Sequence, residues 1–316
     1  MRIKNRSIKY RPSRRIIYLT AAITYWFLSS LLHLKVSLFL ISPLPFFQNG
    51  IRPSDLILPL SWVAAASLLS LLSLQLFRHS IGWGMILCVS LWSAAVLAAN
   101  FLLVSTSNEY IHYPQYAFLA ILLQGAFSTQ RHQFPITRIL FWAVLLGIAD
   151  EAFQYFYICP SYGDYLDFND FVLNELGAIG GIIIAALMGS GANSKGISIG
   201  RKELTVLTSI LIALAALSFS GILMVTPPHE IPPGGVYRME GKTRVFLERK
   251  PHIMGSRQKA QGSGGYYVLT VAEGTAVIVS VFLIVLFCEI HSVRRLPARC
   301  ILPDSMIALY EFKNPW

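Results

Sequence analysis

Long apolar runs recur along this chain and constrain its fold more than any other feature. A backbone surrounded by lipid has no water to bond with, so each run must close its own hydrogen bonds as a helix, and about 20 residues suffice to cross the hydrocarbon. Eight runs can be marked, at 16 to 38, 55 to 77, 82 to 104, 112 to 128, 136 to 158, 171 to 189, 204 to 225 and 269 to 290. The fourth is short, with Pro114 in its first turn, where proline is tolerated, and Gln124 near its end. Only 13% of the residues are charged and 54% are hydrophobic, whereas soluble domains carry about 25% charged residues. These features predict an all-α integral membrane protein of about eight transmembrane helices.

Orientation follows from Lys and Arg, which short loops retain on the cytoplasmic side. The arm at 1–15 holds seven of them, so the N-terminus is expected inside, and the run that follows reads as an uncleaved signal anchor. Alternation then keeps Arg78, Arg131, Arg138, Lys195, Arg201, Lys202, Arg294, Arg295 and Arg299 inside, with a cytoplasmic C-terminus. Outside, the loops at 105–111 and 159–170 contain no Lys or Arg, and 39–54 contains only Arg52. The chain thus divides into a basic arm (1–15), N-terminal helices (16–104), a core (105–190), a helix (204–225), an outer loop (226–268), a last helix (269–290) and a cytoplasmic tail (291–316).

The outer loop is basic, with Arg238, Lys242, Arg244, Arg249, Lys250, Arg257 and Lys259, but long loops cross a membrane despite their charge. Within it, GVYRMEGKTRVFL alternates apolar and polar residues around Glu240-Gly241-Lys242, the pattern of a β-hairpin. The loop reads either as a solvated linker or as a basic surface for lipid head groups or an anionic envelope polymer. Cys88, Cys159, Cys288 and Cys300 have no metal-like spacing and read as structural. No signature for nucleic acid is present.

Against this background the stretch from Asp150 to Gly181 stands out, because it holds Asp150, Glu151, Asp164, Asp167, Asp170 and Glu175. The expected topology brings Glu109, His112 and Tyr116 of the fourth span, Asp150, Glu151 and Gln154 of the fifth, and Asp170 and Asn174 of the sixth to one level, the outer boundary of the bilayer. Glu151 and Gln154 are three apart; Asp170, Asn174, Gly177 and Gly181 repeat at four, three and four; each set shares a helix face. Gly177, Gly180 and Gly181 let a neighbouring helix approach closely. A charged carboxylate in the bilayer costs roughly 2.5–3.5 kcal/mol on insertion scales, so such a group needs a reason to be there. Two reasons are open: a hydrogen-bonded network that specifies helix packing, or a polar pocket facing outward. Asp164 and Asp167 are expected on the solvated loop.

Three segments, HYPQY at 112–116, DEAFQ at 150–154 and NDFVLNELGAIGG at 169–181, together resemble the VanZ-like family, named for a teicoplanin-resistance membrane protein. The family pattern is His-x-x-x-Tyr opening one span, Glu-x-x-Gln closing the next and Asp-x-x-x-Asn-x-x-Gly opening the third. Here it falls on His112 and Tyr116, on Glu151 and Gln154, and on Asp170, Asn174 and Gly177, within about residues 105–190. Many members carry an Arg in the linker between the Gln and the Asp; CPSYGDYLDFN has none. The resemblance implies a multi-pass protein of the bacterial cytoplasmic membrane, associated in its founding member with tolerance to a lipidated glycopeptide.

Two functions suit these residues best. One is an outward-facing site that binds the head group of an envelope lipid or lipid-linked precursor, with His112, Glu151 and Asp170 at its centre and Tyr116, Gln154, Asn174 and Glu109 around them; nearby Tyr155, Phe156, Tyr157, Tyr162 and Tyr165 suit a lipid interface. The other is an intramembrane hydrolase or transferase, in which His112 is a general base oriented by Glu151 or Asp170, or the three hold a divalent metal. No HExxH or GxSxG motif supports the second. A transporter is a third reading, without the paired broken helices such proteins often show.

Overall fold

The structure, a computed structural model, describes residues 12–44, 52–57, isolated positions between 59 and 74, 83–128, 135–161, 163–188, 199–234, 236–259 and 265–294. Its helices are α1 (Pro12–Ile41), α2 (Trp83–Leu102), α3 (His112–Phe127), α4 (Ile136–Phe153), α5 (Phe168–Leu187), α6 (Arg201–Phe219) and α7 (Val271–Arg294). The expected crossing at 55 to 77 lies largely outside the described residues.

Among the described residues, five helices are long and apolar enough to cross a membrane: Arg14–Ile41, Gly84–Leu102, Phe168–Leu187, Arg201–Phe219 and Val271–Ile290. The chain is therefore a helical multi-pass membrane protein with a few short strands. The fourth and fifth expected spans form helices outside this set. α3 has 16 residues, and the 18 of α4 include Arg138, Asp150 and Glu151. α4 continues as a π-helical turn, Gln154–Ile158.

α5 is the axle of the bundle. In its apolar window 78% of residues are buried, against 11% or less in the other four. It packs against α2, α3, α4 and α7. Its glycines explain how: a Cβ added at Gly177 would stand 2.8 Å from Tyr113 O and 2.9 Å from His112 O, and one at Gly181 would overlap the Ala117 backbone. Gly180 receives the Trp92 ring, whose Nε1 donates to Leu176 O at 2.8 Å. Tyr116, Leu119 and Leu123 of α3, Ile139 and Leu140 of α4, and Ala178 and Ile182 of α5 make the main core.

Local signals set the helix starts. The carboxylate of Asp167 accepts from the N–H groups of Asn169 and Asp170, capping α5 three residues earlier than the expected start at 171. Asp167 is thus a cap rather than a free loop carboxylate. α7 opens with a capping box, in which Thr270 Oγ1 accepts from Glu273 N at 3.1 Å and Glu273 Oε2 accepts from Thr270 N at 2.9 Å.

The segment between α6 and α7 forms β1 (Leu223–Met224), β2 (Tyr237–Met239), β3 (Lys242–Phe246), β4 (Arg257–Lys259) and β5 (Gly265–Tyr267). β2 and β3 pair antiparallel with Met239 opposite Lys242, so the hairpin anticipated around Glu240-Gly241-Lys242 forms with a two-residue turn, Glu240-Gly241, and Lys242 already in the strand. Both turn residues have positive φ, 52° and 75°, as a type I′ hairpin turn demands. β1 lies parallel to β3, and β4 pairs with β5.

This strand layer docks on the linker between α4 and α5. Leu166 N donates to Leu247 O at 2.7 Å, and Arg249 N donates to Asp164 O at 2.6 Å. The bundle therefore has two unlike ends. One carries the strand layer, the C-terminus of α4 and the N-termini of α5 and α7. At the other, Arg138 Nε meets Glu203 Oε1 at 2.9 Å and Thr137 bonds Glu289.

Candidate functional site

Three helices bring the candidate residues together near the strand-layer end. His112 opens α3, Glu151 lies in the last turn of α4, and Asp170 and Asn174 lie in the first two turns of α5.

The geometry fixes the chemistry of His112. Asn174 Nδ2 donates to Glu151 Oε1 at 3.1 Å, which turns Asn174 Oδ1 toward His112 Nδ1, 2.8 Å away. An amide oxygen can only accept, so Nδ1 carries a proton, and in the neutral imidazole Nε2 is then the nitrogen with the lone pair. Nε2 faces Asp170 Oδ1 at 3.5 Å, and Nδ1 lies 3.8 Å from Glu151 Oε1. His112 and Glu151 are buried, at 1% and 6% side-chain exposure, while Asp170 keeps 15%.

A second network adjoins the first. Asp150 accepts from Tyr116 Oη at 2.7 Å, Gln154 Nε2 at 2.8 Å and Gln115 Nε2 at 3.3 Å. Tyr116 and Gln154 thus serve Asp150 rather than Glu151; Gln154 reaches Asp150 one turn back along its own helix, the usual i,i+4 contact. Gly147 permits this closeness; a Cβ there would stand 3.3 Å from the Tyr116 ring and 3.4 Å from Asn174.

Not every anticipated residue joins the centre. The Glu109 carboxylate accepts from Ser105 N at 2.8 Å and from the Ser105 and Thr106 hydroxyls, closing its own turn. Burial and the nearby Asp167 push its carboxyl up to about 7. Burial likewise lifts Asp167 to about 6, against the pull of its cap bonds. Asp164 lies farther out and pairs with Lys250 at 2.9 Å. Glu175 is buried and both its oxygens lack a hydrogen-bond partner among the described residues. Its seven-residue spacing from Phe168 puts it on the helix face that meets Gly274 of α7. Tyr162 lies outside the described residues.

Two contributors escaped the sequence reading. His33 of α1 holds its ring 5.6 Å from that of His112 and contacts Ser37 Oγ at 3.3 Å. Its signal was a polar stripe at helical spacing, Ser30, His33 and Ser37, in the first long apolar run. Arg249 is the other: its guanidinium is buried in the linker that lacks an Arg of its own, donating to Pro160 O and Tyr155 O at 2.7 Å each and to Gly163 O. It also lies 3.9 Å above the Tyr155 ring.

A cavity of about 240 Å³ opens between α1 and the start of α3, lined by Tyr25, Ser29, His33, Val36, Ile111, Pro114 and Gln115. His33 and Gln115 connect it to both networks, through His112 and Asp150 respectively. No protein-family model matches the chain, and no curated protein or solved structure matches it either.

Proposed function

We propose that the chain is a VanZ-like protein of the bacterial cytoplasmic membrane that binds the head group of an envelope lipid or lipid-linked precursor at this site. The observation that carries the reading is the cavity between α1 and α3: its walls include Tyr25, Val36, Ile111 and Pro114, and its polar lining, Ser29, His33 and Gln115, leads into the buried networks. A recess between two membrane helices suits an amphiphile, whose chain stays in lipid while its head reaches the polar groups. The outward orientation rests on charge. Arg14, Arg15, Arg138, Arg201 and Lys202 belong to the end opposite the site, and the positive-inside rule assigns such an end to the cytoplasm. The link to teicoplanin tolerance rests on the motif resemblance alone.

Native mass spectrometry of the purified protein tests this reading. A lipid adduct of one class is expected on the parent chain and its loss in Gln115→Leu at an unchanged melting temperature. Equal, nonspecific lipid adducts on both proteins would sink the reading.

One observation favours a second reading, an intramembrane hydrolase or transferase. Asn174 holds His112 in the tautomer whose Nε2 can take a proton, as a general base must. Turnover of a phosphoester or acyl lipid that disappears in His112→Gln, with adduct formation retained, would select it over simple binding.

A further inference from the structure

We propose that His112 Nε2, Glu151 and Asp170 form a binding site for a divalent transition-metal cation at the centre of the bundle. The donor set comes first. An imidazole nitrogen and two carboxylates from three different helices offer ligand atoms that all lie within 4.8 Å of one another. Such N and O donors suit Zn2+ and its first-row neighbours.

The second observation concerns what faces what. Because Asn174 takes a proton from His112 Nδ1, the neutral imidazole presents its lone pair at Nε2, and its neighbour Asp170 Oδ1 is a carboxylate acceptor. That oxygen is shut off from solvent and has no hydrogen-bond partner among the described residues. Two buried acceptors that face each other require something positive between them. A shared proton would draw them to about 2.6–2.9 Å, the range of charge-assisted hydrogen bonds. Their 3.5 Å separation instead matches two ligands of one ion, since donors each about 2.1 Å from Zn2+ stand roughly 3–4 Å apart.

Charge points the same way. Asp150, Glu151 and Asp170 all lie within the bundle. The ion pairs of Arg138, Arg244 and Lys250 are made to other carboxylates, namely Glu203, Glu240 and Asp164. Once ionised, Glu151 and Asp170 beside one imidazole attract a cation, and Asp170, the most exposed of the three ligands, marks its entry. The Glu151–Asn174–His112 chain is then the outer support that fixes a ligating imidazole.

The cation is inferred from the donors alone and stands apart from the head-group reading; where both hold, the ion is what a phosphate head group would meet. Detergent-solubilised full-length protein, stripped with a chelator and titrated with Zn2+, tests it by calorimetry and by metal analysis after gel filtration. One Zn2+ per chain is expected. Asp170→Asn should weaken binding at least roughly 100-fold and Asn174→Ala roughly 10–100-fold, as outer-support changes do, while Glu175→Gln, outside the donor set, should bind like the parent. Asp170→Asn keeps the side-chain shape, so an unaltered melting temperature in the stripped state separates lost ligation from misfolding. No saturable Zn2+ binding, or equal binding by the parent and Asp170→Asn, would overturn the site. Lipid adducts that persist in chelator-stripped protein without Zn2+ binding would leave the head-group reading intact; Zn2+ binding without adducts would do the reverse.

Discussion

Asn174 Oδ1 lies 2.8 Å from His112 Nδ1, and its amide nitrogen reaches Glu151 in the same plane of contact, so a single residue of α5 ties α3 to α4. All three side chains are buried. Removing the amide leaves both an imidazole N–H and a carboxylate oxygen without partners, each costing about 1–3 kcal/mol when shut off from water. Asn174→Leu should therefore lower the melting temperature in detergent clearly. Asn174→Gln, which keeps the amide on a longer stem, should lose less. A neutral Asn174→Leu, measured by thermal unfolding, would mean that the network contributes nothing to holding the helices.

The approach of α3 to α5 gives a second prediction. A methyl at Gly177 meets backbone oxygens of Tyr113 and His112 at 2.8–2.9 Å, and backbone cannot swing aside as a long side chain can. Gly177→Ala should push α3 away, displace His112 and cost about 1–3 kcal/mol, the range for overpacked cores. Gly84 has nothing within 4 Å of its added Cβ. Gly84→Ala should therefore be neutral or gain up to about 1 kcal/mol of helix propensity. Melting temperatures of the pair in one detergent separate packing from a general intolerance of change.

Much of this architecture was legible because lipid enforces simple rules. Apolar runs became helices, and Glu240-Gly241 between alternating residues became a two-residue hairpin turn. That His112, Glu151, Asp170 and Asn174 meet followed from helix order. What spacing could not reveal was pairing between distant segments. Asp150, rather than Glu151, takes Tyr116, a pairing 34 residues apart that only the packing of α3 on α4 decides. His33 comes from a helix some 80 residues before His112, and only tertiary packing brings their rings together. The parallel pairing of β1 with β3 and the descent of Arg249 into the linker likewise depend on contacts with no local sequence signature. Glu109 looked like a ligand by position, but neighbouring Ser105 and Thr106 offered closer donors.

Arg249 fastens the strand layer to the bundle. Its forked donors reach three backbone carbonyls of 155–163 while its plane covers Tyr155. Hydrogen bonds to a charged group are worth about 1.5–3 kcal/mol each, so Arg249→Ala should loosen the layer even if the helices stay packed. Limited proteolysis should then cut within 226–268 faster than in the parent chain. Arg249→Lys should rescue only partly, because an ammonium lacks the planar fork. Equal cleavage rates in all three proteins would sink this role.

The pH dependence of stability follows from Glu109 and Asp167, whose carboxyls burial lifts to about 7 and about 6 from their ordinary 4.5 and 3.8. Below the ordinary values both folded and unfolded chains hold these protons, and the contribution is fully present. As pH rises through the window from the ordinary value to the lifted one, the unfolded chain has already released its protons while the folded chain still holds them. Unfolding is then favoured by each step in pH, and stability falls until the folded groups also ionise. The melting temperature in detergent should therefore decline as pH is raised from about 4.5 to about 7, and Glu109→Gln should flatten that decline because an amide has no proton to lose. The Ser105 and Thr106 hydroxyls can still donate to the amide oxygen, so the variant keeps part of its turn. A decline of the same slope in parent and variant would show that Glu109 releases its proton equally easily folded and unfolded, which a buried carboxyl beside Asp167 should not do.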